Sequence, residues 1–281
     1  MALGNKNKSN NTSNENIIET STSVAMTLPK SYRAAVAEYK TMGSGDAMVI
    51  VNQNLDRYDA IARDAHDAKA QIIVFPEWGL FGSDNPVSSR ETILPFSQPV
   101  GNPGDNLFRK SESSIVQRLA SIAKAHSIVV VANVSESTTG GKIYNTEVAI
   151  SETGVLLAKY HKLNPWFTKT FDEPDKEVVT FETSFGVTFG LFTCYDLYCK
   201  EPQQSLKEQG ATHICYSVCL PVNNFVSRWY YQHWAKKNNA TILVSNLGGC
   251  GSHIFSSGAT QDMEKKDLYT IATLVTCRAS S

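Results

Sequence analysis

The sequence predicts an α/β domain, on three observations. Short apolar runs rich in β-branched residues, QIIVF (71–75) and SIVVVANV (127–134), have the character of strands buried on both faces. Segments with apolar residues at helical spacing accompany them, at 46–70 and 113–126. The alternation of the two patterns along the chain implies sheets covered by helices.

Composition narrows the class. The chain has 281 residues, with 26 Lys+Arg against 27 Asp+Glu and a formal charge of −1. Hydrophobic residues make up 42 %, and a chain this long hides roughly 75 % of the surface its unfolded form exposes, enough for one large core without staples. Near-zero charge argues against a nucleic-acid partner, whose phosphates demand a basic face. No window approaches the ~20 apolar residues of a membrane helix, so no transmembrane segment is expected. Residues 1–29 are another material: NKNKSNNTSNENIIETSTS has almost nothing to bury and is expected to be a disordered tail. No apolar stretch of the secretory-signal kind follows its lysines. Residues 30–281 read as one domain.

The elements follow in order. SYRAAVAEY, from Ser31, alternates as a strand, with Tyr32, Ala34, Val36 and Glu38 on one face. In 46–70, Val51, Leu55, Tyr58, Ala62 and Ala65 recur at helical spacing. QIIVF is stopped by Pro76 and should enter a loop. Residues 113–126 form an amphipathic helix and 127–134 a second buried strand. IYNTEVAIS and VLLAKYH flank Glu152-Thr153-Gly154, a hairpin by its turn chemistry. FGVTFGLFT (185–193), a helix near 201–209, THICYSV (212–218), an aromatic helix NNFVSRWYYQHWAKKN, ATILVSN (240–246) and two weaker strand-like pieces complete the chain.

All six cysteines lie in the second half, at 194, 199, 215, 219, 250 and 277. The spacing His213-x-Cys215-x₃-Cys219 has metal-ligand chemistry, but it falls in an apolar strand-like run where cysteines behave as small hydrophobes. Paired CxxC knuckles are absent from the sequence, so no metal is expected.

Three points could carry chemistry. In Phe75-Pro76-Glu77-Trp78-Gly79 a carboxylate stands just past a buried strand between two aromatic residues. Desolvation penalises its charged form and moves it toward use as a base near neutral pH. In Lys159-Tyr160-His161-Lys162, alternation puts Lys159 and His161 on one face, Tyr160 and Lys162 on the other. An ammonium at a strand end can enter a cleft where low dielectric strengthens its hold on developing negative charge. In Phe192-Thr193-Cys194-Tyr195-Asp196 a thiol stands where a buried strand must turn, the way a nucleophile is presented to a cleft. The backbone N–H of Tyr195 could serve an oxyanion there, and Asp196 could cap the next element. Taken singly, each also fits an ordinary loop glutamate, an edge-strand lysine and a buried inert cysteine.

Together, FPE, then KYHK, then TCYD resemble the Glu-Lys-Cys signature of the nitrilase (carbon-nitrogen hydrolase) superfamily. The resemblance is closer to its vanin and biotinidase branch, on YRAAVAEY, IIVFPEWGLFG, VVVANVSE, YNTEVAI, AKYHKLNPWF, FDEPDKEVVTFETSFGVTFGLFTCYDLYCKEP and SNLGG. It implies a four-layer αββα sandwich and a thiol amidohydrolase of the pantetheinase or biotinidase kind, acting on a small-molecule linear amide. Cys194 would be the nucleophile, Glu77 the general base and acid, and Lys162, with the Tyr195 N–H, the oxyanion stabiliser. No cofactor is implied. Trp78 and Cys219 would line the substrate pocket, and the protein would be a monomer or a homo-oligomer. The branch tends to be secreted and to carry a further β-rich region. This chain shows neither feature, which leaves an extracellular and a cytoplasmic setting both open.

Three departures accompany the match. The second glutamate that family members carry after the lysine falls near Thr168, and no acid appears before Asp172. Tyr216-Ser217-Val218-Cys219 replaces a Pro-Thr-Ala-Trp stretch, and the loop after Val134 is short and lacks cysteines. These suit an alternative, a catalytically inactive nitrilase-fold protein with a binding or structural role. A Cys–His protease with His161 or His213 as base is a third reading. The position of Cys194 after a strand rather than at a helix start speaks against it.

Overall fold

The apolar runs become the central strands of two sheets. The computed structural model describes residues 31–82, 86–109, 114–220, 224–248, 251–258, 260–265 and 269–275. The expected tail, 1–29, lies outside the described residues, as do Cys250 and Cys277.

The first sheet takes its parallel centre from β1 (Ser31–Ala37), β2 (Ile72–Val74) and β4 (Val129–Ser137), with the two-residue β3 (Ser97–Gln98) beside β4. Antiparallel β5 (Ile143–Ile150) and β6 (Leu156–His161) extend it through the expected hairpin. The second sheet is formed by β7 (Thr180–Glu182), β8 (Thr188–Thr193), β9 (His213–Val218), β10 (Thr241–Asn246) and β11 (His253–Ser256), in the order β11-β10-β9-β8-β7. The chain then returns to the first sheet as β12 (Thr260–Lys265) and β13 (Tyr269–Val275), which gives the order β12-β13-β1-β2-β4-β5-β6. The two weak pieces expected at the end are therefore three strands. One closes the second sheet and two edge the first.

The helices are α1 (Ala47–Asp67), α2 (Arg90–Ile93), α3 (Ile115–Ala125), α4 (Gln203–Glu208) and α5 (Asn224–Asn238). The residue expected to open α1, Asp46, is its cap instead: its carboxylate accepts from the N–H groups of Met48 and Val49.

Strand alternation sorts the core into layers. Ala35, Ala37, Ile73, Val130 and Ala132 face a cluster with Leu55, Tyr58, Ile61 and Ala62 of α1 and Leu119 and Ala123 of α3. Their neighbours Tyr32, Ala34, Val36, Ile72, Val74, Val129 and Val131 face the second sheet. The outer side of that sheet meets the last two helices, with Phe192 against Trp234 and Tyr216 against Tyr231. The result is helices, sheet, sheet, helices: the expected αββα sandwich. Buried hydroxyls tie the two sheets, as where Ser245 Oγ donates to the Ala37 carbonyl at 2.8 Å.

Candidate active site

Glu77, Lys162 and Cys194 converge between the sheets, just past the C-terminal ends of β2, β6 and β8. The Lys162 ammonium lies 2.7 Å from Glu77 Oε1. Asn145 Nδ2 donates to the same oxygen at 2.8 Å. Glu77 is 0 %, Lys162 2 % and Cys194 6 % exposed, so the pair is dry and Cys194 is the most accessible of the three. Glu77 Oε2 is buried with no hydrogen-bond partner among the described residues.

The electrostatics follow from that dryness. Burial opposes the charge of Lys162, yet the Glu77 carboxylate, with Cys194 and Asp196, outweighs it and raises the lysine pKa. Burial pushes the Cys194 thiol up and the Glu77 charge adds to this; Lys162 and the Cys219 backbone N–H pull the other way and lose. The resting sulfur is therefore a protonated thiol with a carboxylate beside it.

Cys194 sits on a strained turn. Cys194 has φ of 49°, in the left-handed region, where a non-glycine residue costs on the order of 1–3 kcal/mol. Its surroundings hold it there. Tyr216 Oη donates to the Cys194 carbonyl at 2.9 Å, and the Thr193 N–H donates to Asp196 Oδ2 at 3.0 Å. Asp196 also accepts from Tyr160 Oη at 2.8 Å and from the backbone and side chain of Asn164 at 3.0 and 2.7 Å. The acid expected to cap the next element thus braces the thiol turn, a single 3-10 turn at Cys194–Tyr198, against the lysine loop. Trp78, at φ 60°, is held by its N–H donating to Asn133 Oδ1 at 3.1 Å.

A cleft of about 250 Å³ is lined by Thr41, Trp78, Phe81, Val87, Cys219 and Leu247. It reaches the residue after Glu77, and also Cys219, whose backbone N–H faces Cys194, while Cys194 itself is not on its wall. Trp78 and Cys219, both expected at a pocket, are on its wall. Thr168, where a second glutamate was sought, is exposed. The buried acid that sequence reasoning missed is Glu147, on β5 and 1 % exposed. A signal existed: in YNTEVAI it is the one charged residue of a strand whose positions are otherwise buried or nearly so.

The histidines serve elsewhere. His161 lies between Glu136 and Glu177, at 2.9 and 3.1 Å. His213 Nδ1 lies 2.8 Å from Tyr32 Oη. It pairs across the ladder with Phe189, at the opposite end of β8 from the thiol, some ~15 Å of strand away. Cys215 is buried between the sheets and Cys219 borders the cleft, so the three residues of the metal-like spacing diverge.

A cysteine, a glutamate and a lysine gathered between the sheets of an αββα sandwich define a class of protein. Known proteins agree. A carbon-nitrogen hydrolase family model matches residues 33–260. A biotinidase of Takifugu rubripes is 31 % identical over 248 residues, covering 77 % of this chain and 49 % of that protein. A pantetheinase of Canis lupus familiaris is 32 % identical over 237 residues, covering 76 % and 45 %. The chain spans about half the length of these relatives. Among solved structures, a cysteine-to-alanine mutant of a Nesterenkonia AN1 amidase from the nitrilase superfamily superposes with a TM-score of 0.67 at 20 % identity, covering 88 % of this chain and 92 % of that one. A Saccharomyces cerevisiae member of branch 10 of the same superfamily gives 0.66 at 20 %, over 88 % and 90 %. The chain belongs to the carbon-nitrogen hydrolase family, on the side of its biotinidases and pantetheinases.

Proposed function

We propose that the protein is a thiol amidohydrolase that cleaves a linear carbon–nitrogen amide bond of a small molecule through an acyl-cysteine. One observation carries this: the buried Cys194 thiol is gathered with the Glu77 carboxylate, which is itself anchored by Lys162 at 2.7 Å. A thiol held mostly protonated needs a base at the moment of attack, and Glu77 is in place to be that base.

The cycle balances on these groups. Glu77 takes the thiol proton as the sulfur attacks the amide carbon. The carbonyl oxygen becomes an oxyanion, met by the Lys162 ammonium and the Tyr195 N–H. Loss of one such donor costs roughly 3 kcal/mol in comparable sites. Protonated Glu77 gives its proton to the departing amine as the carbon–nitrogen bond breaks, leaving a thioester. Glu77 then takes a proton from water as the water oxygen attacks the thioester, and returns that proton to the departing sulfur, which releases a carboxylic acid and restores the free thiol and the Glu77 carboxylate. Every proton in the cycle is handled by the chain's own side chains.

The cleft lined by Trp78 and Cys219 suits an uncharged group next to the scissile bond, because its named walls carry no formal charge. The names of the relatives, biotinidase and pantetheinase, point to biotinyl amides and pantetheine as the first substrates to try. The test compares wild type with Cys194→Ala on these and on simple amides, with mass spectrometry for an acyl adduct on Cys194. Turnover and an adduct in wild type, both abolished in the variant, are expected. Equal turnover by the two proteins overturns the proposal. A folded wild type that forms no adduct with any amide leaves the binding-protein alternative standing in its place.

A further inference from the structure

Glu147 is not among the residues lining the cleft, yet its hydrogen bonds reach the segments that carry Glu77 and Cys194. Ser217 Oγ lies 2.5 Å from Glu147 Oε1 and 2.7 Å from the carbonyl oxygen of Phe75, two residues before Glu77. Thr193, which precedes Cys194, donates its hydroxyl to Glu147 Oε2 at 3.2 Å. Asn133 Nδ2 lies 3.4 Å from Oε2; the same side chain also donates to Asn145, which holds Glu77, and accepts the Trp78 N–H. Ser217, Thr193 and Asn133 are all 0 % exposed.

Counting protons on Ser217 settles the state of the acid. A hydroxyl has one proton to give. A carbonyl oxygen cannot donate, so the contact with Phe75 uses that proton. If Glu147 were a carboxylate, its 2.5 Å contact with Ser217 Oγ would set acceptor against acceptor with no hydrogen between them. Exchanging the roles only moves the fault to Phe75. Both contacts are satisfied when Glu147 carries a proton: its O–H donates to Ser217 Oγ, whose O–H donates to Phe75. Oε2 then remains free to accept from Thr193 and Asn133.

We infer that Glu147 is a positioning residue that works as a neutral carboxylic acid, its proton completing a chain that fixes the Glu77 strand end to the turn carrying Cys194. The surroundings agree. Among the described residues no basic side chain hydrogen-bonds to it, and its partners there, Ser217, Thr193 and Asn133, are all uncharged. The titratable groups that face it are Glu77 after β2, Tyr58 of α1 and Cys215 of β9. Tyr160 stands beside it on β6. Lys162 is engaged with Glu77. Burial, with the charge of Glu77 adding, pushes the Glu147 pKa up to about 8. A neutral acid here leaves Glu77 as the anion paired directly with Lys162. An ionised one would set two buried carboxylates behind the same thiol.

The inference rests on the reading of Cys194 and Glu77 for its meaning, but its test needs no amide substrate. Infrared difference spectra of wild type against Glu147→Gln, near pH 6.5, should show one protonated-carboxyl band in wild type that is missing in the variant and fades as pH passes 8. Urea unfolding adds a second readout. The ratio of the two proteins' unfolding constants should change by up to tenfold per pH unit between about pH 5 and 8, in favour of the variant as pH rises. Iodoacetamide labelling of Cys194 at pH 6.5 should be at least tenfold slower in Glu147→Ala, with Glu147→Gln restoring the rate. A missing band, or a stability ratio flat with pH, overturns the inference. So does equal labelling in a folded Glu147→Ala. If that variant does not fold, the first two readouts still decide.

Discussion

Replacing Lys162 by Met removes an ammonium and leaves its carboxylate partner stranded. Glu77 is 0 % exposed and would keep Asn145 as its only direct donor on that oxygen. At 2.7 Å, with an effective dielectric of ~20, the lost attraction is about 6 kcal/mol. Removing one partner of a buried pair costs 3–5 kcal/mol in measured cases. Lys162→Met should therefore lose about 3–5 kcal/mol, a large part of the ~5–15 kcal/mol that holds a domain together. Met fills most of the lysine's volume, so the loss is not a cavity effect. The assay is a double-mutant cycle by urea unfolding at neutral pH. Glu77→Gln/Lys162→Met should be clearly more stable than Lys162→Met, because no buried charge remains unpaired. Single variants whose losses simply add to that of the double, within ~0.5 kcal/mol, would refute the reasoning.

Two other consequences are measurable. Burial opposes the charge of His161, but hydrogen bonds to Glu136 and Glu177 hold its pKa up to about 9. A histidine raised in the folded state stabilises fully below its ordinary pKa near 6.5 and loses that stabilisation as pH rises through 9. Wild type should thus lose at most about 3 kcal/mol between pH 6.5 and 9 relative to His161→Gln, read as the difference in urea midpoints. Asp46→Ala removes the oxygen that receives two N–H groups at the start of α1, which should lower stability by ~1 kcal/mol and depress the melting temperature without altering Cys194 labelling.

Much of this arrangement was legible in the sequence because it depends on local periodicity. The alternation in SYRAAVAEY anticipated the split of Tyr32, Ala34 and Val36 from Ala35 and Ala37 into opposite core layers. Likewise Lys159 and His161 meet Glu136 at the rim, while Tyr160 and Lys162 face inward. Strands of two or three residues, β3 and β7, are too short to show a period and exist only through their partners. The brace at Asp196 and the proton chain through Glu147 and Ser217 were hidden for another reason. Their partners lie 36 and 70 positions away, on strands brought face to face only by the stacking of the sheets.

The Cys194 thiol is supplied by one sheet and the Glu77 carboxylate with its Lys162 ammonium by the other. Each sheet could keep its own ladder intact while sliding an ångström over its mate, and a slip of that size is enough to cost about a hundredfold in rate. Under the amidohydrolase activity proposed above, loss of turnover on heating or in denaturant should accordingly precede loss of secondary structure, which makes chemical competence a sensitive gauge of how firmly the two halves of the sandwich grip each other.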